Sequence, residues 1–290
     1  MTLRDFVHNL KEENGYDMEQ HYRTLNTGAR MPLLGLGVYD MHGAEAVNAV
    51  TTALQTGYRL IDTAALYGNE QEIGEAIRHS GLPRRDIFLT TKVGDADQGY
   101  DATMKAFETS MQRLRTEYID LYLIHWPLPD TRRDTWRALE SLYREGRVRA
   151  IGVANYLLPF LLEMSEYAGI VPAVNQVEFS PFLFLKDLME RCEAQGTILQ
   201  AYTPLLRGRK MDDARLQRMA TNYGKTPAQL LLRWAIEHGV STIPKSAHPD
   251  RIRENFGVFD FSISPSDMSA MDSWNENFRV VEDPMMYWQP

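Results

Sequence analysis

Eight short runs rich in apolar and β-branched residues, separated by longer segments of helical period, constrain this 290-residue chain more than any other feature. They are Gly35 to Tyr39, Arg59 to Asp62, Ile87 to Lys92, Ile119 to His125, Val148 to Val153, Ala173 to Val177, Thr197 to Tyr202 and Ser241 to Lys245. Between them the spacing predicts helices such as Ala44 to Gln55, Glu70 to His79, Thr103 to Leu114, Asp134 to Arg144, Leu157 to Tyr167, Lys186 to Ala194 and Pro227 to His238. Strict alternation implies parallel strands with right-handed crossovers, because each helix must return the chain to the same end of the sheet.

Such a sheet either closes or stays open, and the ends of the strands decide which. The runs finish at or beside Tyr39, Asp62, Lys92, His125, Asn155, Gln176, Tyr202 and Lys245. Closure brings all eight to one rim, where (β/α)8 barrels carry their chemistry. An open dinucleotide-binding sheet would scatter them, and Gly35-Leu36-Gly37 lacks the third glycine of its phosphate loop. The expected fold is therefore α/β, a single (β/α)8 TIM barrel over residues 22–290. A β-hairpin should open it, since Tyr22 to Leu25 and Met31 to Leu34 flank the turn Asn26-Thr27-Gly28-Ala29. Residues 1–21 read as a polar surface extension with one short helix at Leu3 to Glu13.

Composition bounds the partners. A net charge of -8 without a long basic run disfavours nucleic acid or an anionic membrane. The single cysteine, Cys192, permits no intrachain disulfide and no cysteine-cluster metal site, which fits a reducing compartment. With neither a signal peptide nor a spanning segment in view, a cytoplasmic monomer is expected.

Asp62, Lys92 and His125 end consecutive runs, and Tyr67 sits on the loop after the first of them. Reducing a carbonyl with hydride leaves an alkoxide that needs a proton, and a tyrosine with a pKa near 10 donates slowly. A lysine cation about 4 Å away would be worth roughly 4 kcal/mol at an effective dielectric near 20, enough to lower a phenol by about two units. Lys92 can supply that charge, Asp62 can keep Lys92 protonated, and His125 can orient the carbonyl oxygen. Each residue alone has a structural explanation; their coincidence at successive strand ends favours the chemical one.

From about Tyr22 to Phe278 the chain resembles the aldo-keto reductases. The resemblance is carried by Met31-Pro32-Leu33-Leu34-Gly35-Leu36-Gly37, the run from Ile61 to Glu70, Thr90-Thr91-Lys92, Asp120 to Pro127, Ala150 to Asn155, Asn175-Gln176-Val177-Glu178 and Ile243-Pro244-Lys245-Ser246. It implies that Asp62, Tyr67, Lys92 and His125 form a catalytic tetrad with Tyr67 as proton donor, and that the cofactor is NADP(H). Tyr202 would stack on the nicotinamide, with Asn155 and Gln176 at its carboxamide. Thr203 and Leu205 would also bind cofactor, while Lys245, Ser246, Arg251, Glu254 and Asn255 would hold the 2′-phosphate and adenine. Arg207 and Lys210 are candidates for the pyrophosphate.

Two positions depart from the family pattern: Ala154 replaces a common serine, and Gly94 a common tryptophan. Tyr39 and Trp126 should line the substrate pocket, and the tail residues Phe278, Met285, Met286, Tyr287 and Trp288 are further candidates. The pattern is similar to the microbial branch that includes diketogluconate reductases, which implies a sugar-derived or small α-dicarbonyl substrate. The alternative is a catalytically quiet nucleotide-binding barrel serving as a binding or structural subunit.

Overall fold

The computed structural model describes residues 21–289; the helix expected at Leu3 to Glu13 lies outside them. The hairpin forms as β1 (Tyr22–Thr24) and β2 (Arg30–Pro32), antiparallel to each other. All eight expected barrel strands follow: β3 (Leu36–Gly37), β4 (Leu60–Asp62), β5 (Phe88–Val93), β6 (Leu121–Ile124), β7 (Ile151–Ala154), β8 (Val174–Glu178), β9 (Ile198–Tyr202) and β10 (Ser241–Thr242). They pair in chain order, every neighbour parallel.

Contacts between the first and last of them close the ring. Gly35 N donates to Thr242 O at 2.8 Å, Thr242 N to Leu33 O at 2.8 Å, and Gly37 N to Pro244 O at 3.2 Å. The seam needs glycine, because a Cβ on Gly37 would meet the Ile243 carbonyl oxygen at 2.8 Å. β10 is shorter than its apolar run since Pro244 has no N–H for the ladder, although its carbonyl still accepts from Gly37.

Helices cover the outside: α1 (Gly43–Thr56), α2 (Glu70–His79), α3 (Tyr100–Leu114), α4 (Arg132–Arg144), α5 (Leu158–Met164), α6 (Lys186–Ala194), α7 (Ala214–Asn222), α8 (Pro227–Glu237), α9 (Pro249–Phe256) and α10 (Pro265–Asp272). Three of the ten, α7, α9 and α10, are not among the expected helices; α9 begins at Pro249, and the other two are marked differently. Their signal lies in the caps: Asp213 accepts from Arg215 N and Leu216 N, and Ser264 accepts from Asp267 N ahead of a proline at the first helical position. Among the described residues no helix is long and apolar enough to cross a membrane.

The two-residue period of the strands sorts side chains into two cores. Ile61, Leu89, Tyr122, Ile124 and Leu199 face the helices. Leu60, Phe88, Leu121, Leu123, Val174, Ile198 and Ile243 fill the lumen, where Leu25 and Met31 of the hairpin join them. Counting on by twos from the lumen residues reaches Asp62, Lys92, His125, Gln176, Tyr202 and Lys245. The same alternation that packs the barrel aims these polar groups at its open end.

Candidate active site

A cavity of about 540 Å³ opens at that end, and Tyr39, Asp62, His125, Asn155, Gln176, Tyr202 and Lys245 all line it. Of the eight strand-end residues only Lys92 is absent from its wall; it lies beneath, with no exposed surface. Tyr67, Trp126, Thr203, Leu205 and Arg207 complete the expected lining.

Lys92 Nζ donates to Asp62 Oδ1 at 2.6 Å, to the Thr63 carbonyl at 2.8 Å and to Tyr67 Oη at 3.4 Å. The Tyr67 ring stands edge-on between Tyr39 and His125, with centroids 5.1 Å and 5.7 Å away. Thr63 helps shape the loop carrying the phenol: its hydroxyl donates to Asn69 Oδ1 at 2.7 Å, and Asn69 Nδ2 reaches the carbonyls of Val38 and Met41. Across the lumen from β4, Gln176 Nε2 donates to Asp62 Oδ2 and to Gln200 Oε1, each at 2.7 Å. Gln200 continues to Ser241 Oγ at 3.2 Å. Both Asp62 oxygens are thus held, one by the lysine and one by a polar relay through three strands that sequence reasoning missed. Its signal was available, because Gln176, Gln200 and Ser241 occupy one register row of inward positions.

Burial raises the Asp62 carboxyl and lowers the Lys92 amine, and each opposes the other's shift by charge and hydrogen bond. The expected depression of Tyr67 is overturned. Burial, then the negative field of Asp62 and the neighbouring Tyr39, hold its phenol well above the usual range. At 2.6 Å the Lys92–Asp62 pair is close to a neutral dipole, so little cationic field is left for the hydroxyl. His125 moves the other way: burial first, and the Lys92 charge second, push its imidazole down to about 3. The ring is neutral at physiological pH, and its Nδ1 is buried without a hydrogen-bond partner.

Asn155 leaves β7 in the left-handed region, at φ 66°. Its amide joins two neighbours, accepting from Tyr202 Oη at 2.6 Å and donating to the His125 carbonyl at 2.9 Å. One N–H and one lone pair remain. Thr203, next to Tyr202, also has positive φ, 45°, and its hydroxyl oxygen is buried without a partner on the cavity wall. A strained β-branched residue with an unsatisfied hydroxyl points to a ligand that completes the site.

A second cavity, of about 630 Å³, shares Leu205, Arg207 and Lys245 with the first. Ser246, Arg251, Glu254 and Asn255 line its far end. The shared residues join the two cavities, and Arg207, Lys245 and Arg251 set cationic side chains along them.

Several expected residues lie elsewhere. Lys210 lines neither cavity; its Nζ pairs with Glu276 Oε2 at 2.7 Å. Phe278, Met285, Met286, Tyr287 and Trp288 are not on the wall either. Tyr287 packs on Trp126 with ring centroids 5.6 Å apart, Trp288 packs on Phe160 at 5.2 Å, and Met286 is exposed. The tail instead contributes Val281, while Leu66, Pro204, Ile243 and Pro244 add apolar wall that single-residue reasoning did not reach. Ala154 is buried and off the wall. Gly94 is not on the cavity wall, and an added Cβ there would meet only the Asp97 carboxylate, at 3.3 Å.

The model of the aldo/keto reductase family matches residues 33–276. Glyoxal reductase of Bacillus subtilis is 48% identical over 90% of this chain and 95% of its own length. An aldo-keto reductase from a Medee basin deep-sea metagenome library superposes with a TM-score of 0.88 at 43% identity, covering 90% of this chain and 97% of that one. A Bombyx mori aldo-keto reductase solved in complex with NADP gives 0.85 at 32% identity, over 90% and 94% of the two chains.

Proposed function

The chain belongs to the aldo/keto reductase family, and from that premise we propose that it reduces aldehyde or ketone carbonyls to alcohols with NADPH, Tyr67 giving the proton. The observation that carries this reading is the convergence of Lys92 on Asp62 at 2.6 Å and on Tyr67 at 3.4 Å beside His125, at the floor of one cavity.

The residues suited to hold the nicotinamide end are Tyr202, Thr203, Asn155 and Gln176, with Leu205 and Arg207 along the middle. Lys245, Ser246, Arg251, Glu254 and Asn255 suit the phosphate-bearing end. When bound, the reduced cofactor supplies a hydride to the carbonyl carbon. The residues then manage the oxygen. His125, neutral, hydrogen-bonds it and orients the carbonyl toward Tyr67. The raised pKa keeps the phenol protonated until negative charge develops opposite it. The alkoxide that hydride addition leaves is a strong base, and Tyr67, still protonated, is placed to give it a proton. Lys92 Nζ donates to the phenol oxygen at 3.4 Å and so steadies the phenolate formed by a hydrogen bond, although Asp62 shares the same ammonium.

Glyoxal reductase among the relatives supports a small α-dicarbonyl substrate, with a sugar-derived carbonyl compound as the other candidate. A free, buried Cys192 is compatible with a cytoplasmic setting. The reading is tested by following NADPH absorbance in the near ultraviolet with a panel of aldehydes and dicarbonyls. Turnover of at least one is expected. Retained NADPH binding with no turnover across the panel would favour a quiet nucleotide-binding barrel.

Two further outcomes follow from the site. Arg251→Ala should weaken NADPH binding roughly 10- to 100-fold, the range of a hydrogen bond to a charged group, and leave NADH binding within about twofold. Fluorescence titration of both nucleotides decides it, and equal losses would overturn the phosphate assignment. Because His125 stays neutral down to about 3, kcat for reduction should show no inflection near the ordinary imidazole pKa of ~6.5. A step there that vanishes in His125→Asn would contradict this.

A further inference from the structure

Glu178 ends β8, two residues beyond Gln176, and the chemistry above makes no use of it. Its side chain is 3% exposed. A carboxylate so placed would ordinarily be met by a cation, yet Arg279 and Arg207 act on it through space only, and Arg279 Nε faces Asp283 Oδ2 at 3.7 Å. What it does contact is main chain: Val280 N donates to Oε1 at 2.7 Å and Val281 N to Oε2 at 3.3 Å. Just upstream, the Phe182 carbonyl accepts from Glu276 N at 3.1 Å and Phe278 N at 3.0 Å. The C-terminal segment is thereby laid along the loop after β8, and Val281 is its contribution to the cavity wall.

We infer that Glu178 is a positioning residue that sets the roof of the substrate cavity, its two carboxylate oxygens clasping successive backbone amides so that Val281 closes over the bound carbonyl compound. The charge is what suits it to the task. An ionised carboxylate accepts two N–H groups at once and holds them more tightly than a neutral acceptor, whereas an amide in its place offers one oxygen and turns N–H against N–H at the other. The role rests on the reductase reading for its kinetic consequence, but the clasp can be measured without turnover.

Glu178→Gln is the test. Hydrogen–deuterium exchange of the full chain should show the Val280 and Val281 amides protected in the parent and about tenfold faster in the variant. With a carbonyl substrate of the panel, KM should rise by a similar factor, kcat should change less than about threefold, and NADPH affinity should hold within about twofold. Val281→Ala should raise KM while leaving amide exchange as in the parent. Should Glu178→Gln fail to fold, Glu178→Asp, which retains the charge but retracts it by one methylene, carries the same expectations. Unchanged amide exchange, or a loss confined to kcat, overturns the inference. Faster exchange in Glu178→Gln, with a parent that turns over no carbonyl of the panel, would leave the clasp standing and sink the reductase reading instead.

Discussion

Tyr67→Phe is expected to lower kcat for carbonyl reduction by about 10²- to 10⁴-fold, the usual contribution of a positioned general acid, while leaving nucleotide affinity and stability close to the parent. The change deletes one oxygen. The ring keeps its edge contacts with Tyr39 and His125, and Lys92 keeps Asp62 at 2.6 Å and the Thr63 carbonyl at 2.8 Å, so no buried charge is stranded. Steady-state NADPH oxidation beside a fluorescence titration of NADPH separates the two effects. A fall of less than about threefold would remove Tyr67 as the proton donor and pass that role to a solvent proton delivered through His125.

Lys92→Met should be the most damaging single change, in stability as well as rate. It strands Asp62, 1% exposed, with only Gln176 as partner. Breaking a buried pair by removing one member costs about 3–5 kcal/mol. The sign with pH follows from Asp62. Burial already raises its carboxyl, and without Lys92 it rises further above the unfolded value of ~3.9. A group raised on folding favours the native state below its unfolded pKa, and that support is lost as pH climbs through the folded value. Lys92→Met should therefore be nearer the parent in urea unfolding at pH 5 than at pH 8, and adding Asp62→Asn should recover much of the loss. Equal deficits at both pH values with no recovery would mean that the ion pair is not what the fold depends on here.

The two outcomes bear on different layers of one device. Tyr67 faces the cavity and its loss is chemical; Lys92 lies under the floor and its loss is structural first. The relay from Gln176 through Gln200 to Ser241 belongs with the second layer, because it fixes the carboxylate that fixes the lysine.

Much of this was legible before any coordinates. Alternating runs and helical segments specify parallel strands, and the polar residue at each strand end marks the rim, where seven of the eight such residues line one cavity. Less was legible where contacts come from loops. Lys210 was a candidate for the pyrophosphate only as a cation in the loop after Tyr202, and Glu276, 66 residues on, claims it. The aromatic tail read as pocket lining because aromatic residues line pockets, but those side chains pack against Trp126 and Phe160, and Val281 takes the place.

What the amino-acid sequence determined by itself was direction: a two-residue period sends every second side chain of a strand into the lumen, whatever the rest of the molecule does, and so aims Asp62, Lys92, His125, Gln176 and Tyr202 at one point. What only the tertiary structure decided was the state of the groups that arrive there. Whether Tyr67 is made more or less acidic depends on how much water closure removes and on whether Asp62 or Lys92 dominates the field at its oxygen. Whether Glu178 is a free acid or a clasp depends on where residues 280 and 281 come to lie, 102 and 103 positions later. Both are sums over distances in space, and a chain fixes those only once it has folded.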